Sequence, residues 1–493
     1  MRDLENILIT KVARGPNTSD EQYDHQLVVL VKELRRATSI KSGKRIDDTD
    51  LLQVLHPANN TLGYIFLLLG LTSERNSDLY VISLVAFLTQ FDPVQARYAG
   101  PEWRRVLQIA NEVIMATGNT DLLSPVRNAI LRMDPSSSTF TTNHLEYLSL
   151  CLQARRPREA LPLLDKDILH FPHKEHPEID TRPPCANHQH SCGYITRETE
   201  ISGDITVLHV QEYYLLGSLV YIGVRDYERA KVFLELVLAT PTLNQAVDLY
   251  MLEAYKKLIL VGLVADGTPV PCSNLVEQGA MRVIEPLAKH YTGLVDAFKN
   301  RDLAKFHAEI DVAGTLWGDD GNFGLVQEAA EALRRYRVLD LQRTYASLPV
   351  DQVAIHLSLS TQNTAQLLQN MIQQGHIQAS ISTSSRSSQA QNGTSSSGST
   401  PVLRFHLQDS SRPVHHINHG SPEEQIHAQI QRIATMSEAV KEADRKYSLT
   451  KDYGDWLKRN RKGADAGAAA FEDPMEMDDN FGGGGDDEDI MAT

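Results

Sequence analysis

Apolar residues recur at intervals of three and four from residue 20 to about residue 350, the spacing that lines one face of an α-helix. Leu27, Leu30, Val31 and Leu34 share one such face, and Trp103, Val106, Leu107, Ala110, Val113 and Ile114 share another. Val247, Met251, Tyr255, Leu258 and Gly262 repeat the spacing inside AVDLYMLEAYKKLILVGL. No alternating strand pattern of comparable strength precedes residue 376. Breaks fall at Asp92-Pro93, Gly100-Pro101, Asp134-Pro135 and Thr240-Pro241, because proline lacks a backbone donor and restricts the residue before it. Helices separated by short breaks imply stacked pairs. One stretch carries a repeat directly: Tyr213, Leu216, Gly217, Phe233 and Pro241 keep the tetratricopeptide spacing, with the glycine expected to let paired helices approach. A weaker echo places Ala160 and Leu163 as Ala230 and Phe233 are placed.

The pattern changes after residue 350. PVDQVAIHLSL reads as a short helix, and Ser360 caps a second one, TQNTAQLLQNMIQQ, closed by Gly375 in a left-handed turn. HIQASIS then alternates, with Ile377, Ala379 and Ile381 on one face, and VLRFHL, carrying Val402, Leu403 and Phe405, is a second strand. Helix, helix, strand, wing, strand is the winged-helix order. The wing, residues 382–401, is rich in serine, threonine and glycine and is read as a long flexible loop. A last helix begins at SPEEQ, with Ile426, Ile430, Ile433, Val440 and Tyr447 on one stripe of alternating four and three spacing, a seam that needs a partner. The fold class is therefore mainly α: a right-handed, tetratricopeptide-like helical array followed by a winged-helix subdomain and a C-terminal helix. The expected division is 1–135 N-terminal helical repeats, 136–324 tetratricopeptide-like repeats with an insertion at 171–201, 325–410 winged helix, 421–450 bundle helix, and 463–493 a disordered, acidic, glycine-rich tail.

Composition narrows the function. The chain has 493 residues, 42% of them hydrophobic, which is ample for more than one core. Its net charge of -15 disfavours nucleic acid overall, and the second helix of the winged helix, Ser360 to Gly375, holds no lysine or arginine with which to grip phosphates. Leu62 to Leu71 and Leu79 to Leu88 are too short to span a bilayer and read as buried helices. The N-terminus does not read as a signal peptide, and four irregularly spaced cysteines do not make a disulfide framework, so the expected location is cytoplasm and nucleus. The basic run KRNRK at 458–462, beside Trp456, is a candidate nuclear-import signal or anion contact set against a plain solvated surface.

The insertion gathers His170, His173, His176, Cys185, His188, His190 and Cys192, residue types that bind zinc. No CxxC pair is present and the intervening prolines fit a solvated loop, so the expectation is no metal and no other cofactor. No phosphate-binding glycine loop and no catalytic triad can be assembled, and no small-molecule substrate is implied.

The order of helical repeats, winged helix and terminal helix resembles the PCI family, whose members occur in the proteasome lid, the COP9 signalosome and the eukaryotic initiation factor three complex. Tyr345, Leu348, Val353, Ala354, Leu357, Met371, Ile372, Gly375, Ile377 and Ala379 stand where the PCI signature expects them. YMLEAYKKLILVGL and the preceding VLATP bring the likeness closest to a signalosome subunit. The resemblance implies a non-catalytic scaffold in the complex that removes Nedd8 from cullins of cullin-RING ubiquitin ligases, contacting other PCI subunits and a metalloprotease-type subunit. The implied interface residues are Ile377, Ala379, Ile381, Val402, Leu403, Phe405, Ile426, Ile430, Ile433, Val440 and Tyr447. His188 and His190 supply the His-x-His of the metalloprotease, but Glu198 stands where its serine should be and Ile201 where its aspartate should be, so no cleavage is expected. Two readings remain beside this one: a PCI subunit of the proteasome lid or of the initiation factor complex, and a winged-helix protein that binds nucleic acid.

Overall fold

A computed structural model describes residues 7–10, 14, 18–40, 50–71, 77–172, 182–188, 190–241, 247–271, 275–383, 401–406, 422–449 and 451–464. The wing tip, the acidic tail, His173 and His176 lie outside these residues. The chain divides into two units, Met1–His415 and His416–Thr493.

In the first unit, helices of eight residues or more begin with α1 (Asp20–Ile40), α2 (Thr61–Gly70), α3 (Asp78–Gln90), α4 (Gly100–Thr117) and α5 (Leu123–Met133). The apolar faces read from the sequence are their buried faces: Leu27, Val31 and Leu34 on α1, and Trp103, Val106, Leu107, Ala110, Val113 and Ile114 on α4, lie in one continuous core. The two greasiest stretches form α2 and α3 and are packed inside, Leu67, Leu68, Leu84 and Leu88 being fully buried. No single described helix is long and apolar enough to cross a membrane. The prolines act at helix starts. Asp92 caps the turn that opens with Pro93 by accepting from Val94 N at 3.0 Å, and Pro101 occupies the first turn of α4, where its missing N–H costs nothing.

α6 (Thr142–Gln153) is followed by α7 (Val207–Val224) and α8 (Tyr227–Leu238), which form the repeat pair. A Cβ on Gly217 would stand 2.6 Å from the Phe233 ring, so the glycine is what lets α7 and α8 meet at that level. The echo after α6 is cut short: a 3₁₀ turn at Pro157–Ala160 and one helical turn at Leu161–Leu164 take the place of a full second helix. Pro157 and Pro162 fit only the first turn of a helix, and the chain then runs extended to His170, which bridges to Thr139.

α9 (Leu249–Ala265), α10 (Gln278–Leu287), α11 (Lys289–Lys299) and α12 (Leu303–Val312) complete the array. α13 (Phe323–Thr344) is common to two cores. Its first turns bury Val326, Ala329, Ala330, Ala332 and Leu333 in the large core, and its later Val338 lies in a second core with Val350, Val353, Leu357, Leu368 and Met371. The junction is polar as well as apolar. Lys256 Nζ reaches both carboxylate oxygens of Asp320 at 2.8 Å, Tyr291 OH donates to Asp320 at 2.7 Å, and Asn322 Nδ2 donates to Tyr291 OH at 2.8 Å. Lys257 Nζ also donates to Asn322 Oδ1, so the two lysines of YMLEAYKKLILVGL fix α9 to the turn that launches α13.

One expectation is corrected. The described part of the 171–201 insertion is not a solvated loop but a strap over the N-terminal helices. Cys185, Ala186, Ser191, Tyr194, Ile195, Thr196 and Ile201 are buried. Arg97 places its guanidinium 3.5 Å from the centre of the Tyr194 ring and donates to Pro184 O at 2.7 Å, while Tyr194 OH donates to Met133 O at 2.9 Å. Ser191 Oγ lies 2.7 Å from Thr139 Oγ1 and 3.1 Å from Ser138 Oγ, tying the strap to the loop between α5 and α6. A Cβ on Gly100 would stand 2.0 Å from Thr199 O, so glycine is required where the strap crosses the start of α4. The prolines stiffen the strap; its burial comes from hydroxyl and aromatic groups that find partners far away in sequence.

In the second unit, α16 (Pro422–Ser448) is followed by α17 (Lys451–Ala464). α17 is a second departure, since a further helix, which carries the basic run at 458–462, follows the one expected to be last.

Candidate assembly interface

The winged helix is built from α14 (Val350–Leu357), α15 (Thr361–Gln373) and three strands, β1 (Ser347–Pro349), β2 (Ala379–Thr383) and β3 (Pro401–Phe405). Ser360 caps α15 by accepting from Asn363 N at 3.3 Å, and Gly375 takes φ +75° to turn the chain toward β2. The order is β1-β3-β2, both pairs antiparallel, with Leu403 of β3 opposite Leu348 on one side and Ile381 on the other.

That order changes the expected interface. β3 is central, so Val402, Leu403 and Phe405 do not offer an open backbone edge; the strands with one unpaired side are β1 and β2. Ile377, Ala379 and Leu403 are buried in the winged-helix core, at 3%, 8% and 0% exposure, and their side chains hold the sheet on α14 and α15. Ile381 and Phe405 are half-buried against the same core. Among the described residues, what the subdomain can present to a neighbour is the backbone of the edge strands, β2 being the longer, and the outer face of α15. Gln362, Asn363, Gln366, Gln369 and Asn370 are exposed there, with no charged residue from Ser360 to Gly375. A helix that reads DNA in the major groove anchors itself with cations, and this one has none to use.

The stripe on α16 stands open. Ile426, Ile430, Ile433, Val440 and Tyr447 are 57–67% exposed, and on α17 Trp456 is 51% exposed. Tyr453 links the two helices, its ring 5.3 Å from that of Tyr447 and 5.8 Å from that of Trp456. Five large apolar side chains on one face of a 27-residue helix are far more apolar surface than an isolated helix tolerates in water.

The described histidines and cysteines of the insertion have other neighbours than a metal site would give them. Cys185 Sγ donates to Asp20 O at 3.3 Å, and its backbone N donates to Tyr98 OH at 3.2 Å. His188 Nε2 lies 3.0 Å from Pro183 O, and its ring is 5.9 Å from that of Tyr194. His170 and His190 face each other ring to ring at 5.5 Å, and Cys192 sits in the half-exposed 3₁₀ turn Ser191–Gly193. Among the described residues no three of His, Cys, Asp and Glu stand together as metal ligands would. Burial pushes the Cys151 thiol up to about 11, so it is not a poised nucleophile.

Sequence reasoning passed over His144. It is 1% exposed, with Nδ1 accepting from Thr141 N at 3.2 Å and Nε2 2.8 Å from Ser137 Oγ, and burial lowers its pKa to about 4. The signal was available in part, since Thr141 three residues before His144 has the spacing of a capping box.

A helical array whose last long helix enters a winged helix defines a PCI-type protein, and the profile of the PCI domain matches residues 304–386. The profile described as COP9 signalosome complex subunit 3, N-terminal helical repeats, matches residues 22–278. That match spans just over half of the chain, and the protein belongs to the COP9 signalosome subunit 3 family. The likeness read from YMLEAYKKLILVGL and VLATP is the same one. Similar full chains include COP9 signalosome complex subunit 3 of Emericella nidulans, 27% identical over 97% of this chain and 96% of that one. The subunit 3 of Neurospora crassa is 25% identical over 77% of this chain and 79% of its own. That of Drosophila melanogaster is 26% identical over 71% and 77%.

Proposed function

We propose that this chain is a scaffold subunit of the COP9 signalosome, contributing no catalytic group to the removal of Nedd8 from cullins. One conjunction carries the reading: a chain similar over nearly its whole length to a signalosome subunit 3 bears, among the described residues, a winged helix with one side of β2 unpaired and a terminal helix with its apolar stripe exposed. Backbone pairing at β2 and burial of the α16 stripe are the two physical means of assembly. Catalysis is assigned to a metalloprotease-type partner, because His188 and His190 are built into the strap, where Glu198 and Ile201 occupy the positions of the missing serine and aspartate. The other partners are PCI subunits, and the complex works in cytoplasm and nucleus.

Affinity isolation of the tagged full chain from its own cells, with quantification of the recovered subunits, tests the reading. Signalosome subunits in stoichiometric amounts are expected. Recovery of proteasome-lid or initiation-factor subunits in their place would overturn it, and fluorescence of the tagged chain confined to the secretory pathway or to mitochondria would overturn the location.

A further inference from the structure

The stripe on α16 is not uniformly apolar. In heptad terms Ile426, Ile433, Val440 and Tyr447 occupy one set of seam positions, and Ile430, Ser437 and Asp444 occupy the other. Ser437 and Asp444 are exposed like their apolar neighbours. Among the described side chains, Lys441 one turn earlier included, none pairs with Asp444. A carboxylate therefore stands exposed at a seam position of a surface built to be covered.

That placement constrains what can cover it. A second copy lying parallel and in register would set Asp444 against Asp444, and like charges at a seam position repel. An antiparallel copy sets one group of seam positions against the other, so in any register Asp444 would meet Ile426, Ile433, Val440 or Tyr447 and its carboxylate would be buried without a partner. A carboxylate at a seam position is satisfied when the opposing helix supplies a cation, and a single polar seam residue then also fixes register.

We propose that α16 is covered by a helix of a different chain that carries its own apolar stripe and sets a lysine or arginine opposite Asp444, and that Asp444 selects this partner and its register over a second copy. The inference rests on the bundle reading above and adds to it the charge of the partner.

The test uses the full-length tagged chain in cells lacking the untagged copy, reading the amount of complex recovered. Asp444→Lys is expected to lower recovery roughly tenfold or more by opposing two cations, and Asp444→Asn to lower it less. Glu438→Lys, the same change of charge on a residue beside the seam, is expected to leave recovery unchanged. Purified chain carrying Asp444→Leu is expected to self-associate in sedimentation, where the natural chain stays a monomer. Ile430→Asp with Ile433→Asp tests the bundle itself and is expected to release the chain. If that double variant is still recovered in full, the bundle reading falls and the partner assignment with it. If it is released while Asp444→Lys is recovered in full, the bundle stands and the role of Asp444 is overturned. Equal losses from Glu438→Lys and Asp444→Lys, or a natural chain that dimerises through α16, would overturn it too. All these positions are exposed, so the variants keep the fold, and circular dichroism of each variant checks that they do.

Discussion

Lys257 Nζ donates to Asn322 Oδ1 at 2.7 Å, joining the middle of α9 to the first residue before α13. Lys257 is 4% exposed, Asn322 is fully buried, and Glu253 lies 3.1 Å from the same ammonium. The bond closes a network in which Tyr291 and Asp320 also take part, so the start of the helix that leads into the winged helix is anchored to the repeat array by polar groups.

Replacing Lys257 by methionine keeps the stem and removes the donor, leaving the amide oxygen of Asn322 buried without a partner. A loss of about 1 to 3 kcal/mol is expected from that unpaired acceptor. Equilibrium denaturation of the variant beside the natural chain measures it, and an unchanged midpoint would show that the network holds without Lys257.

Gly217→Ala opposes two effects. A helical alanine is favoured over glycine by about 1 kcal/mol, but here the added methyl meets the Phe233 ring and overpacking costs about 1 to 3 kcal/mol. Net destabilisation is expected in a thermal melt, and pairing it with Phe233→Leu, which clears the space, should recover most of the loss. A stabilised single variant would mean that Phe233 swings aside freely.

His144 gives the chain an acid sensitivity of definite sign. Its pKa is near the ordinary 6.5 in the unfolded chain and about 4 in the folded one, so the unfolded state takes up the proton first. The stabilising contribution is complete above about pH 6.5 and is lost as pH falls toward 4, amounting to about 2 kcal/mol between pH 7.5 and 5. Denaturation at the two pH values measures it. His144→Asn should flatten that part of the dependence, at a lower stability throughout.

Arg97 holds the strap by its ring contact and its bond to Pro184. In Arg97→Ala both are lost, the first worth about 2 kcal/mol at a desolvated site. Limited trypsin digestion is expected to cut the variant at Arg197 much faster than the natural chain, while far-ultraviolet circular dichroism stays nearly the same. Equal cutting rates would mean that the serine and threonine contacts suffice.

The helical faces of α1, α4 and α9, the repeat pair closed at Gly217, and the two helices of the winged helix were legible because their signals are local: period, cap and turn lie within a dozen residues of one another. The strap was not. Tyr194, Ser191 and Cys185 show no period, and their burial depends on Arg97, Thr139 and Asp20, which are distant in sequence. β1 escaped because three residues ending in proline carry no strand pattern of their own, and it alone makes β3 central rather than an edge. The interface was half legible: alternation shows which side of Ile377 and Ala379 faces inward, but not that this inward side is spent on the core. On α16 the stripe was plain from spacing, and its side chains are exposed among the described residues.

α13 has a mechanical consequence. Its 22 residues run without a break from Val326 in one core to Val338 in the other, a rod of roughly 33 Å at 1.5 Å per residue. There is no linker between the two cores to act as a pivot. A load applied to the winged helix by a neighbour is carried into the repeats as bending and torque on one rod, clamped where Lys256 and Lys257 grip Asp320 and Asn322. The subunit therefore behaves as a bracket of fixed angle, and neighbours that need a different angle must adjust themselves to it.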